Sequence, residues 1–232
     1  LSFRLQEQCG ISVNLGKTRV WNAGGALPPG FEGMGEAGVP VWTGDPSLPP
    51  EAQGLMVLGT PHGHPAYVAR QPEEVSSEHD WLLQALHTLP ELQSSWLVLS
   101  FCASPRCNYY LLALPPSLSV QFAARHDQAM RLAMWRLLDE PTADEEAVAR
   151  AGALTQLPLR HGGMGLRSAA RMAQAAYWAS WADCVPMIQQ RHPGIAAYLV
   201  QALELPPDQE PLATCLAEAR VARDVVVREG FE

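Results

Sequence analysis

The feature that most restricts the fold is a change of character at Gly63. From Ala23 to Gln53 glycine and proline crowd the chain, and no regular helix survives there, because proline lacks an amide hydrogen and glycine favours the unfolded chain. Only Val39 to Trp42 reads as a brief strand within it. So long an irregular connection inside a compact domain is more often functional or mobile than core-forming. Past Gly63 apolar residues recur at three- and four-residue spacing. Glu73 to Thr88 sets Val75, His79, Leu82, Leu83 and Leu86 in one stripe, Leu92 to Ala103 follows Pro90, and Ser117 to Leu138 repeats the pattern with Val120, Ala123, Met130, Met134 and Leu137. Thr142 with Glu145 is a capping box for a helix from about Ala143 to Thr155, which Pro158 ends. Ser168 caps a further helix through Trp181, and Pro193 to Leu203 and Leu212 to Arg228 read as two more. The expected fold class is therefore α+β, with a β-rich edge before about His64 and helices after it. There is no internal repeat.

A chain of 232 residues with 47% apolar composition buries a core, which excludes a disordered or fibrous reading. No run of eighteen apolar residues is free of charge or proline, and no charged-then-apolar leader opens the chain, so neither a membrane span nor a signal peptide is expected. The opening at Leu1 reads as a piece of a longer product. Cys9, Cys102, Cys107, Cys184 and Cys215 are an odd, scattered set and read as buried free thiols of an intracellular, reducing compartment. The net charge of −8 argues against autonomous nucleic-acid binding, which draws most of its non-specific affinity from phosphate neutralisation. Two basic islands interrupt the acidic chain: Arg4, Lys17 and Arg19 near the start, and Arg160, Arg167 and Arg171 in a stretch from 151 to 182 without acids. Arginine greatly outnumbers the single lysine, a bias that GC-rich coding also produces.

Three short motifs stand out. Gly10-Ile11-Ser12-Val13-Asn14-Leu15-Gly16-Lys17-Thr18 reads as a turn glycine and a short alternating strand ending in a lone lysine. Leu55 to Leu58 is an apolar strand closing in the turn Gly59-Thr60-Pro61, followed by His62 and Gly63. Gln156 to Leu166 holds a proline and then Gly162-Gly163-Met164-Gly165-Leu166. Their order and spacing resemble the region after the Asp-Asp active-site hairpin in reverse transcriptases of non-LTR (LINE-like) retrotransposons, from about Gly10 to Trp181. Gly10, Ile11, Asn14, Lys17 and Thr18 match that pattern residue for residue, whereas His62 stands where such elements commonly carry an apolar residue.

The resemblance implies an RNA-directed DNA polymerase, divided here into a palm edge at 1–64, a helical thumb at 65–156 and a post-thumb region at 157–232. It places Lys17 near the triphosphate, where a cation or general acid stabilises the departing pyrophosphate. Without the resemblance, Lys17 is a solvated lysine at a strand end. Leu58, Gly59, Thr60, Pro61 and Gly63 would form the primer grip, glycine letting backbone approach the strand closely. The other reading of these residues is a plain strand-to-helix turn. Arg160, Arg167 and Arg171, the last two one turn apart on a helix face, would contact the RNA template or DNA primer backbone. Gly10, Asn14, Gly162, Gly163 and Gly165 carry structural roles, as turn residues and as a sharp turn between packed helices.

Other chemistry finds no support. The glycines before the Ser168 helix lack the lysine and spacing of a phosphate loop. His62 and His64 have no further ligands nearby beyond His79 or Glu73, and Cys102 and Cys107 have no second pair, so no metal site is expected. Trp178 and Trp181 read as core rather than as base-stacking platforms. The chain has no Asp-Asp pair for two-metal phosphoryl transfer and no Gly-x-Ser-x-Gly elbow. Catalysis by this chain alone is not expected; magnesium is implied only for the complete polymerase, its aspartates lying upstream of Leu1. The rival reading is a non-catalytic helical interaction module derived from a retroelement.

Overall fold

The computed structural model describes residues 7–10, 14–31, 41–138, 145–205 and 214–230. Its architecture is α+β, mostly helical with one small antiparallel sheet. The chain divides into two compact units, Leu1–Gln71 and Pro72–Glu232.

The first unit holds the sheet. Strands β1 (Gly54–Val57) and β2 (Thr60–Gly63) pair in the register Gly54 with Gly63, Leu55 with His62, Met56 with Pro61 and Val57 with Thr60. The turn is therefore Leu58-Gly59, and Thr60 and Pro61, read from sequence as turn residues, belong to β2. Both central residues have positive φ, 50° and 85°, the conformation that matches the right-handed twist of a two-residue hairpin. Glycine adopts it freely; Leu58 does so against the clash of its own Cβ. At the other end of the hairpin, a Cβ on Gly54 would strike the Tyr67 ring, and one on Gly63 would strike the Gln53 carbonyl.

Upstream, Val20 and Trp42 form an isolated parallel bridge, made by Val20 N–H to Val41 O (2.7 Å) and Thr43 N–H to Val20 O (2.9 Å). The expected strand leading to Lys17 is corrected: Leu15–Lys17 is a 3₁₀ turn. Asn14 nucleates it, its Oδ1 accepting the Lys17 amide at 3.2 Å while its carbonyl accepts the Thr18 hydroxyl at 2.9 Å. Ile11 to Val13 lie outside the described residues.

Helix α1 (Pro65–Ala85) starts eight residues before the apolar stripe suggested, and Pro72 sits buried within it. The second unit continues with α2 (Leu92–Val98), a π-helical turn at Leu99–Ala103, a 3₁₀ turn at Ser104–Cys107 and α3 (Asn108–Ala113). Then come α4 (Pro116–Leu137), α5 (Glu145–Gln156), α6 (Ala169–Arg191), α7 (Pro193–Glu204) and α8 (Thr214–Arg228). The capping threonine proposed for α5, Thr142, lies outside the described residues. Helix α6 runs ten residues past Trp181 and packs against α3, α4, α7 and α8. Its alanines allow that close approach, Ala169 and Ala173 being buried.

Among the described residues, two apolar clusters stand out in the helical unit. Leu83, Leu86, Leu99, Ala103, Met130, Ala133, Met134 and Leu166 form one; Tyr177 with α7 and α8 residues Ala202, Leu203, Leu216, Ala219 and Ala222 forms the other. Trp178 and Trp181 pack against the second cluster. Val120, placed by its spacing in the α4 stripe, is instead 52% exposed. The cysteines also depart from expectation: all five are free, but only Cys107 is buried, with Cys9, Cys102 and Cys184 exposed and Cys215 between. No helix is long and apolar enough to cross a membrane among the described residues.

Candidate nucleic-acid interface

The residues expected to meet nucleic acid fall in both units. In the first, Lys17 is exposed at the end of its 3₁₀ turn, and Gly10, also exposed, has a φ of 66°. The β1–β2 tip is open: Leu58 is 94% exposed, and Met56 and Val57 are half-exposed beside it. His62 and His64 are exposed, and the His64 Nδ1 accepts the Ala66 amide at 3.2 Å, turning the chain into α1.

In the second unit the glycine-rich segment is a knot of backbone hydrogen bonds. A short 3₁₀ turn at Leu159–His161 follows Pro158. The amides of Gly162, Gly163 and Gly165 go to the carbonyls of Leu159 (3.0 Å), Pro158 (3.2 Å) and Leu157 (2.9 Å), and Leu166 N–H reaches back to Thr155 O at 3.0 Å. Gly162 and Gly165 have φ of 76° and 72°, and a Cβ on Gly163 would collide with the Leu157 carbonyl. Each glycine thus fulfils a backbone requirement that other residues meet only with strain. The three amides are spent on carbonyls and offer nothing to a phosphate.

The N-terminus of α6 is likewise occupied. Asp127, reaching across from α4, accepts the Ser168 hydroxyl (2.6 Å) and the amides of Ala169 (2.7 Å) and Ala170 (3.2 Å), while the Ser168 Oγ accepts the Arg171 amide at 3.2 Å. The first donors of the helix are all satisfied by one buried carboxylate and one hydroxyl. Sequence reasoning found Ser168 but missed Asp127, which reads as one polar position on an amphipathic helix.

The basic island is exposed throughout, with Arg160 donating from Nε to His161 Nε2 at 3.2 Å. Arg171 lies in the first turn of α6, but Arg167 precedes the capping serine, so the expected pair on one helix face is corrected. Positive side chains at a helix start oppose its dipole, and the buried Asp127 offsets them. Elsewhere arginines serve the fold: Arg223 donates to Leu203 O (2.7 Å) and Arg220 to Leu205 O (3.1 Å), closing the end of α7.

Between α4, α5 and the glycine turn lies a cavity of about 260 Å³, lined mostly by apolar side chains such as Met134, Trp135, Leu154 and Met164, with Arg131 at its edge. Among the described residues, no three His, Cys, Asp or Glu side chains come together to hold a metal ion. Cys107, the buried thiol, is pushed up to about 12 by burial and by the Asp127 charge, so it is an inert core group. No family model, curated protein or solved structure matches this chain.

Proposed function

We propose that this chain is the C-terminal palm and thumb part of a reverse transcriptase of a non-LTR retrotransposon, holding primer and template during RNA-directed DNA synthesis. The observation that carries the reading is the glycine-tipped hairpin followed directly by a helical region, in the order the motifs require. In it the Leu58-Gly59 tip, with Thr60, Pro61 and Gly63 on β2, approaches the primer strand, because glycine backbone leaves room for a sugar-phosphate chain. Lys17, exposed on a turn pinned by Asn14, faces the triphosphate and gives its proton or charge to the departing pyrophosphate. Arg160, Arg167 and Arg171 hold the strand through phosphates rather than bases, which contributes affinity without sequence preference.

Magnesium supplies the charge stabilisation for phosphoryl transfer in such polymerases. Among the described residues no three His, Cys, Asp or Glu side chains come together, and in this reading aspartates upstream of Leu1 hold the ions. The decisive test joins this chain to a palm bearing an aromatic-x-Asp-Asp hairpin and measures primed DNA synthesis on an RNA template. Lys17→Ala should lower incorporation about a hundredfold. Unchanged incorporation would remove Lys17 from the mechanism, and a joined protein without template affinity would remove the polymerase reading.

The net charge of −8 and the exposed aromatic residues Trp81 and Phe101, at 72% and 75% exposure, favour a second reading as a non-catalytic interaction module. Such a module stays indifferent to nucleic acid at every salt concentration, whereas the polymerase part gains affinity that falls steeply with salt.

A further inference from the structure

Inside the helical unit, His79 of α1 and His126 of α4 lie ring on ring, their centroids 4.8 Å apart and their planes within 12° of parallel. They are 4% and 3% exposed. His79 Nε2 has no hydrogen-bond partner, and His126 makes no hydrogen bond of good geometry, the Ser104 carbonyl being the one backbone acceptor that acts on its ring. An imidazole so placed is tolerable while neutral. Charged, it presents two N–H donors and a full positive charge to an interior whose burial cost outweighs the help of nearby acceptors.

We infer that the α1–α4 seam is a proton-triggered joint: His79 and His126 form a neutral stacked pair at pH 7, and a proton arriving on either ring drives the helices apart.

The groups facing the pair decide whether a proton is welcome. Burial dominates for both. It pushes His79 down to about 4, with the His126 ring and the Arg106 guanidinium adding repulsion and Asp80 only partly opposing it. His126 is also pushed down by burial, against an opposing pull from Asp127 and the Ser104 carbonyl. Asp127 has little to spare, since its oxygens are engaged by Ser168, Ala169 and Ala170. Asp80 is turned to Arg125 of α4, 3.0 Å away. The buried Cys107 thiol stays neutral and offers no counter-charge.

The consequence for stability has a definite sign. The unfolded chain takes up these protons near 6.5, whereas the folded chain holds His79 unprotonated down to about 4. Stability is full above the unfolded value, declines as pH falls below 6.5, and stops declining only below the folded value. From pH 7.5 to pH 5, His79 alone multiplies the unfolding constant about thirtyfold. The response is steepest midway between the two values, at about pH 5, in the mildly acidic range.

The test is guanidinium unfolding of the full chain at pH 7.5 and pH 5, on wild type and on His79→Phe, which keeps a ring in the stack but removes the titrating group. The acid weakening of wild type should exceed that of the variant by about thirtyfold in unfolding constant. Equal weakening of the two proteins would overturn the inference. A second measurement on unaltered protein, the imidazole NMR titration, stands even if the variant fails to fold. Both buried rings should titrate well below 6.5, and titration of both at the ordinary value would overturn it.

Discussion

Asp127 and His126 are neighbours on α4, both buried, and they meet opposite surroundings. The aspartate brings a charge into the interior and finds three donors for it, two backbone amides and a serine hydroxyl, at the positive end of α6. The histidine brings a neutral ring, makes no hydrogen bond of good geometry from either nitrogen, and rests face to face on His79. A buried group whose hydrogen bonds are all made is rigid and adds stability; one whose bonds are missing is tolerated only in the charge state that costs least to bury. One turn of helix thus carries both a fastening between α4 and α6 and a weak point between α4 and α1.

The comparison breaks most visibly at Asp127. Asp127→Ala leaves the Ser168 hydroxyl and two helix amides without their acceptor and removes the negative charge from the helix start. The expected loss is about 3 kcal/mol, read as a lower denaturant midpoint with an unchanged slope. Asp127→Asn keeps one acceptor oxygen and should lose about half of that. A loss below about 1 kcal/mol for the alanine variant would mean that the carboxylate contributes no more than an ordinary surface cap.

The two halves of this comparison were unequally legible in the sequence. Ser168 was found because a cap is a local signal: a serine before an alanine-rich helix, three residues ahead of the amide it accepts. The glycine turn at 162–165 was found for the same reason. Asp127 lies 41 residues from Ser168, and an aspartate on a long amphipathic helix gives no hint of a distant helix end. His79 was placed correctly in the buried stripe of α1, but nothing in the chain announced that His126 would cover it. Two local readings failed for different causes. Asn14 pulls the segment before Thr18 into a 3₁₀ turn where alternation suggested strand, and Leu58 takes a positive φ that leucine rarely adopts, which starts the hairpin turn one residue earlier than expected.

Ser168→Ala tests whether the fastening depends on the hydroxyl or on the carboxylate. The hydroxyl gives one bond to Asp127 and receives one from Arg171, whereas the direct amide bonds to Asp127 survive its removal. The expected loss is about 1 kcal/mol, a third of that for Asp127→Ala. In the double variant the two losses should fall short of additive, because both remove the same Ser168–Asp127 bond; full additivity would show that the two groups stabilise α6 separately.

The smallest effect belongs to the outer edge of the weak seam. Arg125, one residue before His126, reaches from α4 to Asp80 at 3.0 Å and to Glu73 at 3.7 Å, both on α1. This ion pair bridges the helices that the buried histidines join, yet its groups stay largely in water, with Arg125 42% and Asp80 37% exposed. Screening and the entropy of holding two long side chains leave little net attraction in such a pair. Arg125→Ala should therefore lose about 0.5 kcal/mol at low salt and almost nothing at 1 M salt. Its acid response should persist in full, because the protons that loosen the seam enter the buried rings rather than the surface pair. If Arg125→Ala instead abolished the difference between pH 7.5 and pH 5, the surface ion pair and not the histidine stack would be the acid-sensitive part of α1–α4 packing.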